Sequence, residues 1–271
     1  MKKHISYRSS ELLKWLNKQG ITFFTLKKAG EILKESEPAA IRKLLSGMVK
    51  RGLILRLKDG LYSIIPYEKD AAEYFPDWHL TAEALVTPQM YYIGFYSALD
   101  IHGLITQPAL TEQIVTEKQI VPKYRIIKKV KFEFTTLGNR FFGYNKTWID
   151  DFNKVYCSDL EKTILDCLYI PGKANGIPEI IKAISNSADK LDENKVITYI
   201  RKYNSQAVIK RLGFILQSLD INTNLRDELG KMISSSYALL DSSLPKKGKH
   251  NSNWKIIDNS GIESAINSIL T

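Results

Sequence analysis

The chain has 271 residues, of which 44% are hydrophobic, and a formal net charge of +10 from 39 Lys and Arg against 29 Asp and Glu. Its sequence has no apolar run long enough to span a bilayer, no apolar stretch after the basic N-terminus as in a secretory signal, and only two cysteines. These features exclude a membrane-spanning or disulfide-stapled protein and predict a cytoplasmic one.

The charge is concentrated in the first quarter of the chain. Residues 1–66 hold 14 basic and 5 acidic side chains, a net charge of +9, and the remaining residues carry +1. A basic segment attached to a nearly neutral body indicates that this segment binds a polyanion.

Three helices are predicted within residues 1–66. The first has Ser9–Ser10 as its N-terminal cap and ends at Gly20, the second covers about residues 26–33, and the third runs from Pro38 to about Arg51. The third helix has the periodicity of a buried stripe, formed by Ile41, Leu44, Leu45 and Met48. Its opposite face and flank carry short or basic side chains, namely Ala39, Arg42, Lys43, Ser46 and Lys50.

Two short apolar runs, 53–57 and 61–65, flank Asp59-Gly60, which is a strong signal for a β-hairpin. Three helices followed by a hairpin predict a winged helix-turn-helix, with the third helix as the recognition helix and Arg56 and Lys58 on the wing. We therefore expect binding to double-stranded DNA, mainly through phosphate contacts. The predicted DNA-binding residues are Lys27, Lys28, Ala39, Arg42, Lys43, Ser46, Lys50, Arg51, Arg56 and Lys58.

Two alternatives to DNA binding exist for this segment. The basic residues could form an ordinary solvated helix face, or the winged helix could bind a protein. The net charge of +9 disfavours both alternatives.

The rest of the chain predicts a linker over residues 67–78 and a larger domain over residues 79–271. Residues 67–78 are polar and acidic. In the larger domain most strand-like segments, at about 91–93, 113–116, 124–135 and 141–149, precede most helical ones, at about 160–168, 177–190, 192–203, 206–219 and 225–235. This order predicts an α+β body with a mixed or antiparallel sheet and several helices.

One stretch of the body is basic with a period of two. If residues 123–131 form one strand, the alternation places Lys123, Arg125, Lys129 and Lys131 on one face. This face could follow phosphates, or it could be the solvent side of an antiparallel sheet whose lysines protect an edge. We favour the second interpretation because one-sided sheets routinely expose such faces.

The sequence predicts no enzyme, no cofactor and no metal site. Gly172-Lys173 lacks the leading glycine and the hydroxyl residue of a phosphate-binding loop, and the four histidines are far apart. A two-metal phosphoryl-transfer site is a weaker alternative, because the glycine-serine turn and paired aspartates of nucleotidyltransferases are missing beside the carboxylates Asp150, Asp151, Asp159 and Asp166.

Four sequence blocks follow the basic segment, which ends in Gly60-Leu61-Tyr62 and Pro66. Together and in this order, the segment and the blocks resemble the AbiEi family of type IV antitoxins and related transcriptional regulators. The blocks are Tyr92–Leu104, Ser158–Leu168, Lys210–Leu216 and Leu244–Ile256. The resemblance implies an N-terminal domain that represses its own promoter at inverted repeats. It also implies a C-terminal antitoxin domain that counters a nucleotidyltransferase-like toxin in a phage-defence system of the abortive-infection type.

The family also contains proteins described only as regulators, so a body that binds a ligand or a protein without a toxin partner is the alternative. The fourth block includes Lys246, Lys247 and Lys249 around Gly248. This basic loop is a candidate for contact with DNA or with an acidic toxin surface, and it could equally be a solvated loop. The basic strip at 123–131 is the second candidate of this kind.

Overall fold

The structure is a computed structural model that describes the backbone of residues 5–270 and the side chains of residues 5–267. The chain divides into two compact units. The N-terminal unit contains the residues up to Gln89 together with Ile126–Val130, and the C-terminal unit contains the residues from Met90 to Arg125 and from Lys131 onwards. The fold is mixed α+β, as expected.

The N-terminal unit has a helical core with a small antiparallel sheet beneath it. Its elements are α1 (Tyr7–Lys18), β1 (Phe23–Thr25), α2 (Leu26–Ile32), α3 (Pro38–Lys50), β2 (Ile54–Lys58), β3 (Leu61–Ile64) and α4 (Trp78–Val86). The strands are ordered β1-β3-β2, and β2 and β3 form the predicted hairpin. Gly60 closes its turn at φ +71°, a conformation that glycine adopts without strain.

Three of the four residues of the predicted stripe of α3 are buried in this core, and the fourth, Leu44, is half-buried against it. Ile41, Leu45 and Met48 are fully or almost fully buried against Leu12 and Leu16 of α1 and the apolar side chains of the sheet. Helix α1 begins earlier than predicted, since the hydroxyl of Ser6 accepts the amide of Ser9 and caps the helix. The expectation of a cap at Ser9–Ser10 was therefore wrong.

The domain boundary also falls later than the sequence indicated. Helix α4, which starts within the predicted linker, belongs to the N-terminal unit. Within this unit, Lys58 Nζ on the hairpin donates to the carbonyl of Leu85 at 2.6 Å. The linker residues themselves form turns before α4.

The C-terminal unit is built on a mixed six-stranded sheet ordered β6-β7-β5-β4-β9-β8, of which only residues 126–130, at the turn between β6 and β7, belong to the N-terminal unit. The strands are β4 (Tyr91–Ile93), β5 (Thr111–Thr116), β6 (Tyr124–Ile127), β7 (Val130–Thr136), β8 (Tyr144–Trp148) and β9 (Lys154–Ser158). Strands β5 and β7 are parallel, as are β4 and β9, whereas β4–β5 and β8–β9 are antiparallel.

The helices of the C-terminal unit pack into one large core with this sheet. They are α5 (Phe95–Ile101), α6 (Leu160–Tyr169), α7 (Ile177–Ser187), α8 (Glu193–Tyr203), α9 (Gln206–Leu219), α10 (Thr223–Gly230) and α11 (Ile262–Leu270). A second, small sheet joins β10 (Ala238–Leu239), β11 (Lys249–Asn251) and β12 (Ile256–Asp258) in the order β10-β12-β11.

Candidate nucleic-acid interface

Helix α3 is held firmly by its buried side and by its first turn. Pro38 occupies the start of the helix, and the carboxylate of Glu37 accepts the amide of Ala39 at 3.4 Å. Glu35, in the turn before the helix, accepts both terminal nitrogens of Arg8 at 3.2 Å. This exposed ion pair adds little stability. The orientation of the face opposite the core is set instead by the buried side chains of α3, which pack against α1.

The face of α3 that the sequence singled out is exposed over its whole length. The residues that share this exposure are Ala39, Arg42, Lys43, Ser46 and Lys50. Lys43 and Lys50 are two helical turns apart, about 10 Å along the axis. The helix contains no acidic residue, so nothing on α3 itself neutralises these cations. Short side chains between the cations keep the face narrow.

Two of the predicted contact residues point elsewhere. Arg51 is half-buried, and its Nε donates to the carbonyl of Gly47 at 3.1 Å while Nη2 donates to Ser9 Oγ at 2.9 Å. Lys58 is half-buried as well and donates to Leu85, as described above. Both cations hold elements of the N-terminal unit together, which a sequence pattern cannot distinguish from an exposed cation.

The other basic residues of the N-terminal unit are partly paired. Arg56 on the hairpin is exposed and lies 2.5 Å from Asp59 of the same turn. Lys28 is 3.5 Å from Glu31 and 5.2 Å from the centre of the Trp15 ring, whereas its neighbour Lys27 is exposed. Some basic residues of this unit are therefore partly neutralised by neighbours, whereas α3 carries no acidic residue of its own.

The basic strip of the body does not lie on a single strand. The chain turns at Lys128–Lys129 between β6 and β7, and Lys128 adopts a left-handed φ of +54°. Lys131 lies over the Tyr124 ring at 5.6 Å and is half-buried, as is Arg125, whereas Lys123 and Lys129 are exposed. The expectation that these four side chains share one strand face was wrong, because the chain turns between β6 and β7. The sequence did not indicate this turn, since neither glycine nor asparagine occurs in it.

Lys128, which the sequence analysis did not select, has the most specific contacts of this hairpin. Its Nζ donates to the carbonyls of Ala71, Ala72 and Tyr74 at 2.7, 3.2 and 2.6 Å. Burial lowers the pKa of this ammonium. Three carbonyl acceptors around one cation hold Lys128 to the segment before α4, which belongs to the same unit.

The loop of the fourth block is fully exposed. Lys246, Lys247 and Lys249 all project from residues 242–250, every one of which is exposed. Lys249 is 4.0 Å from Glu263, a separation at which an exposed pair adds little stability. The loop is therefore accessible to a partner.

Of the four aspartates considered for phosphoryl transfer, Asp150, Asp159 and Asp166 each have separate structural partners. Asp166 is completely buried, accepts the hydroxyls of Tyr92 and Tyr203 at 2.9 and 2.8 Å, and contacts Lys162. Burial raises the pKa of Asp166 and lowers that of Lys162. Asp150 accepts amides of its own loop.

Asp159 caps α6, where its carboxylate accepts the amide of Lys162 at 3.0 Å. Within the described residues, no group of three or more His, Cys, Asp or Glu side chains is arranged to hold a metal ion.

A known structure shares this fold. The RV2827C protein from Mycobacterium tuberculosis superimposes with a TM-score of 0.75 at 10% sequence identity, and the match covers 100% of this chain and 97% of that chain. At this identity the likeness shows the fold alone. No protein-family model matches the chain, and no curated protein matches it significantly. Over residues 5–270, none of the helices combines the length and the apolar character needed to cross a membrane.

Proposed function

We propose that the chain is a transcriptional regulator that binds double-stranded DNA through a winged helix formed by residues 5–66. Helix α3 acts as the recognition helix and the β2–β3 hairpin as the wing. The observation that carries the proposal is the exposed face of α3, which is basic, free of acidic residues and narrow. The order of helices and strands in this unit supports it.

This face suits a DNA groove for two reasons. A major groove is wide enough to admit one helix, and the small Ala39 and Ser46 let the backbone of α3 approach the base edges. Arg42, Lys43 and Lys50 would neutralise phosphates or, for one of them, bind a guanine. The wing contributes less, since Asp59 pairs with Arg56 and Lys58 is engaged with Leu85.

A mobility shift on the chain's own upstream region tests this proposal. Lys43→Ala should weaken binding about tenfold, because one phosphate or base contact is lost. The matched control is Lys18→Ala, which removes an exposed lysine of α1 and the same charge. Equal losses in both variants would show that total charge, and not the α3 face, determines binding, and would contradict the proposal.

The antitoxin role of the C-terminal unit rests on the resemblance to the AbiEi family. Its partner would be a nucleotidyltransferase-like toxin. The structure supports the premise that the blocks belong to one folding unit, since Tyr92 of the first block contacts Lys162 and Asp166 of the second. The third and fourth blocks likewise meet where Gln217, just after the third, accepts the indole N–H of Trp254 at 2.6 Å.

The exposed lysine loop is the part of this unit that we expect to contact a toxin. Replacing Lys246, Lys247 and Lys249 together by alanine should abolish rescue of cells that express the cognate toxin, while operator binding stays largely intact. Full rescue by the triple variant at equal protein level would refute this role of the loop. Loss of operator binding in the same variant would assign the loop to DNA instead.

A further inference from the structure

A two-part groove lies on one face of the C-terminal unit, along β5 and β7. These parallel strands are in register, with Thr111 opposite Lys131 and Gln113 opposite Glu133, so alternate residues of both strands share this face. Two adjoining cavities of about 370 and 420 Å³ open here, and Glu133 and Lys173 line both of them. Each cavity is within the size range of small-molecule sites.

The groove is positively charged. Lys131 and Lys173 line the first cavity, and Lys123 and Lys173 line the second. Glu133 is the one acidic residue among the lining residues, all of which lie in the described part of the chain. Three ammonium groups against one carboxylate favour an anionic ligand.

Lys173 is held in place by its backbone. It lies in a 3-10 turn, Pro171–Ala174, where its amide donates to the carbonyl of Ile170 at 2.9 Å. Its carbonyl accepts Gln113 Nε2 at 2.9 Å, and Gln113 Oε1 accepts the amide of Tyr96 at 2.8 Å. Gln113 is 7% exposed, so this buried amide fixes Lys173 and the lining residue Tyr96 to β5.

The side chain of Lys173 has an exchangeable partner. Its Nζ lies 2.8 Å from Glu133 Oε2, and the two side chains are 19% and 29% exposed. A pair this accessible to water is weakly held. A phosphate dianion carries more charge and more acceptor oxygens than a carboxylate, so it can displace Glu133 from Lys173.

Backbone strain occurs beside the same groove. Phe95, the residue before Tyr96, has a φ of +52°, which is rare for a bulky side chain. Its ring is completely buried, and Lys173 Nζ lies 5.7 Å from its centre. Such conformations persist where the surrounding structure enforces them, and they cluster at binding sites.

The apolar and aromatic side chains that line the two cavities indicate that the ligand also has an apolar or planar part. Tyr96, Pro108 and Leu110 line the first cavity, and Ile120 and Phe134 line the second. We propose that this groove binds a phosphorylated small molecule of nucleotide size, whose phosphate replaces Glu133 at Lys173 and whose apolar or planar part occupies a cavity. The site lies wholly within the C-terminal unit and goes beyond the proposed DNA binding.

The test uses the full chain and the fluorescent nucleotide mant-ADP, followed by fluorescence anisotropy at low salt. Mant-ADP should bind saturably, with displacement by ADP and, at higher concentration, by inorganic phosphate, but not by adenosine. Lys173→Met should weaken binding about tenfold, the effect of losing one charge-assisted contact. Glu133→Gln should strengthen binding several-fold, because the competing carboxylate is gone, and a gain of affinity cannot come from misfolding.

The matched control is Lys190→Met, which removes an exposed lysine that lines neither cavity. This variant should bind mant-ADP like the unmodified chain. The proposal is overturned if mant-ADP does not bind saturably, if adenosine competes as well as ADP, or if Lys173→Met and Lys190→Met bind equally. None of these measurements involves DNA, so they fail or succeed independently of the proposed DNA binding.

Discussion

Lys50 and Arg51 are neighbours in the chain and carry the same charge, yet their side chains have different surroundings. Lys50 is exposed at the end of α3, whereas Arg51 turns back to Gly47 and to the buried Ser9 of α1. The charge pattern of the sequence cannot separate the two. The structure separates them because the Arg51 side chain reaches acceptors on Gly47 and Ser9, whereas the Lys50 side chain extends into solvent.

The two residues should therefore respond differently to substitution. Arg51→Ala should lower the free energy of unfolding by about 1–2 kcal/mol, since it removes one hydrogen bond to Ser9 of α1 and one to Gly47 of α3. It should change DNA affinity only slightly under conditions where the variant is folded. Lys50→Ala should weaken DNA binding and leave the free energy of unfolding almost unchanged. Urea denaturation and a DNA titration of both variants check this, and similar losses of affinity in both would place Arg51 at the DNA as well.

At the scale of elements, α9 and the small sheet are joined by a close contact at Gly213. A Cβ atom at this position would overlap the ring of Trp254, which is 4% exposed and follows β11. Gly213 is present because the helix backbone and the indole touch, and this contact explains why a glycine occurs inside a buried helix.

Gly213→Ala should destabilise the protein by about 2 kcal/mol or more, because a packed core tolerates added atoms poorly. Gly230→Ala, at the end of α10, is the matched control: no heavy atom lies within 4 Å of the added Cβ. The control should leave stability unchanged or raise it by about 0.5 kcal/mol, since alanine has the better helix propensity. Thermal unfolding measures both, and equal melting temperatures would show that the contact with Trp254 is not enforced.

The elements that the sequence predicted well are those with a long periodic pattern or a specific turn. Helix α9 spans Gln206–Leu219 as expected, and Asp59-Gly60 located the first hairpin. The β6–β7 turn was missed because Lys128–Lys129 carries no turn residue. Strand β9 was also not predicted. The strands β10, β11 and β12 have two or three residues each, too few for a periodicity to be clear.

In the candidate site, too, only the features with a clear periodic pattern could be predicted. The exposed face of α3 was predictable because helical periodicity assigns each residue to a side. The roles of Arg51 and Lys58 depend on acceptors from α1 and α4, and the pairing of Lys173 with Glu133 depends on residues far apart in the sequence. No local pattern contains that information.

For the whole molecule, the uneven charge agrees with two separate tasks. The residues up to 66 carry +9 and contain the α3 face, and the nearly neutral remainder contains the groove along β5 and β7 and the exposed lysine loop. In this account the N-terminal unit binds a polyanion over an extended face, whereas the body binds a smaller or more selective partner. DNA binding is the central claim.

The salt dependence of DNA binding tests that claim most directly. For the full chain on its own upstream duplex, the logarithm of the binding constant should fall linearly with the logarithm of salt concentration, with a slope of roughly −3 or steeper if the three cations of α3 contact phosphates. Lys43→Ala should make the slope shallower by about 1. A slope near zero, or no binding at low salt, would contradict the account.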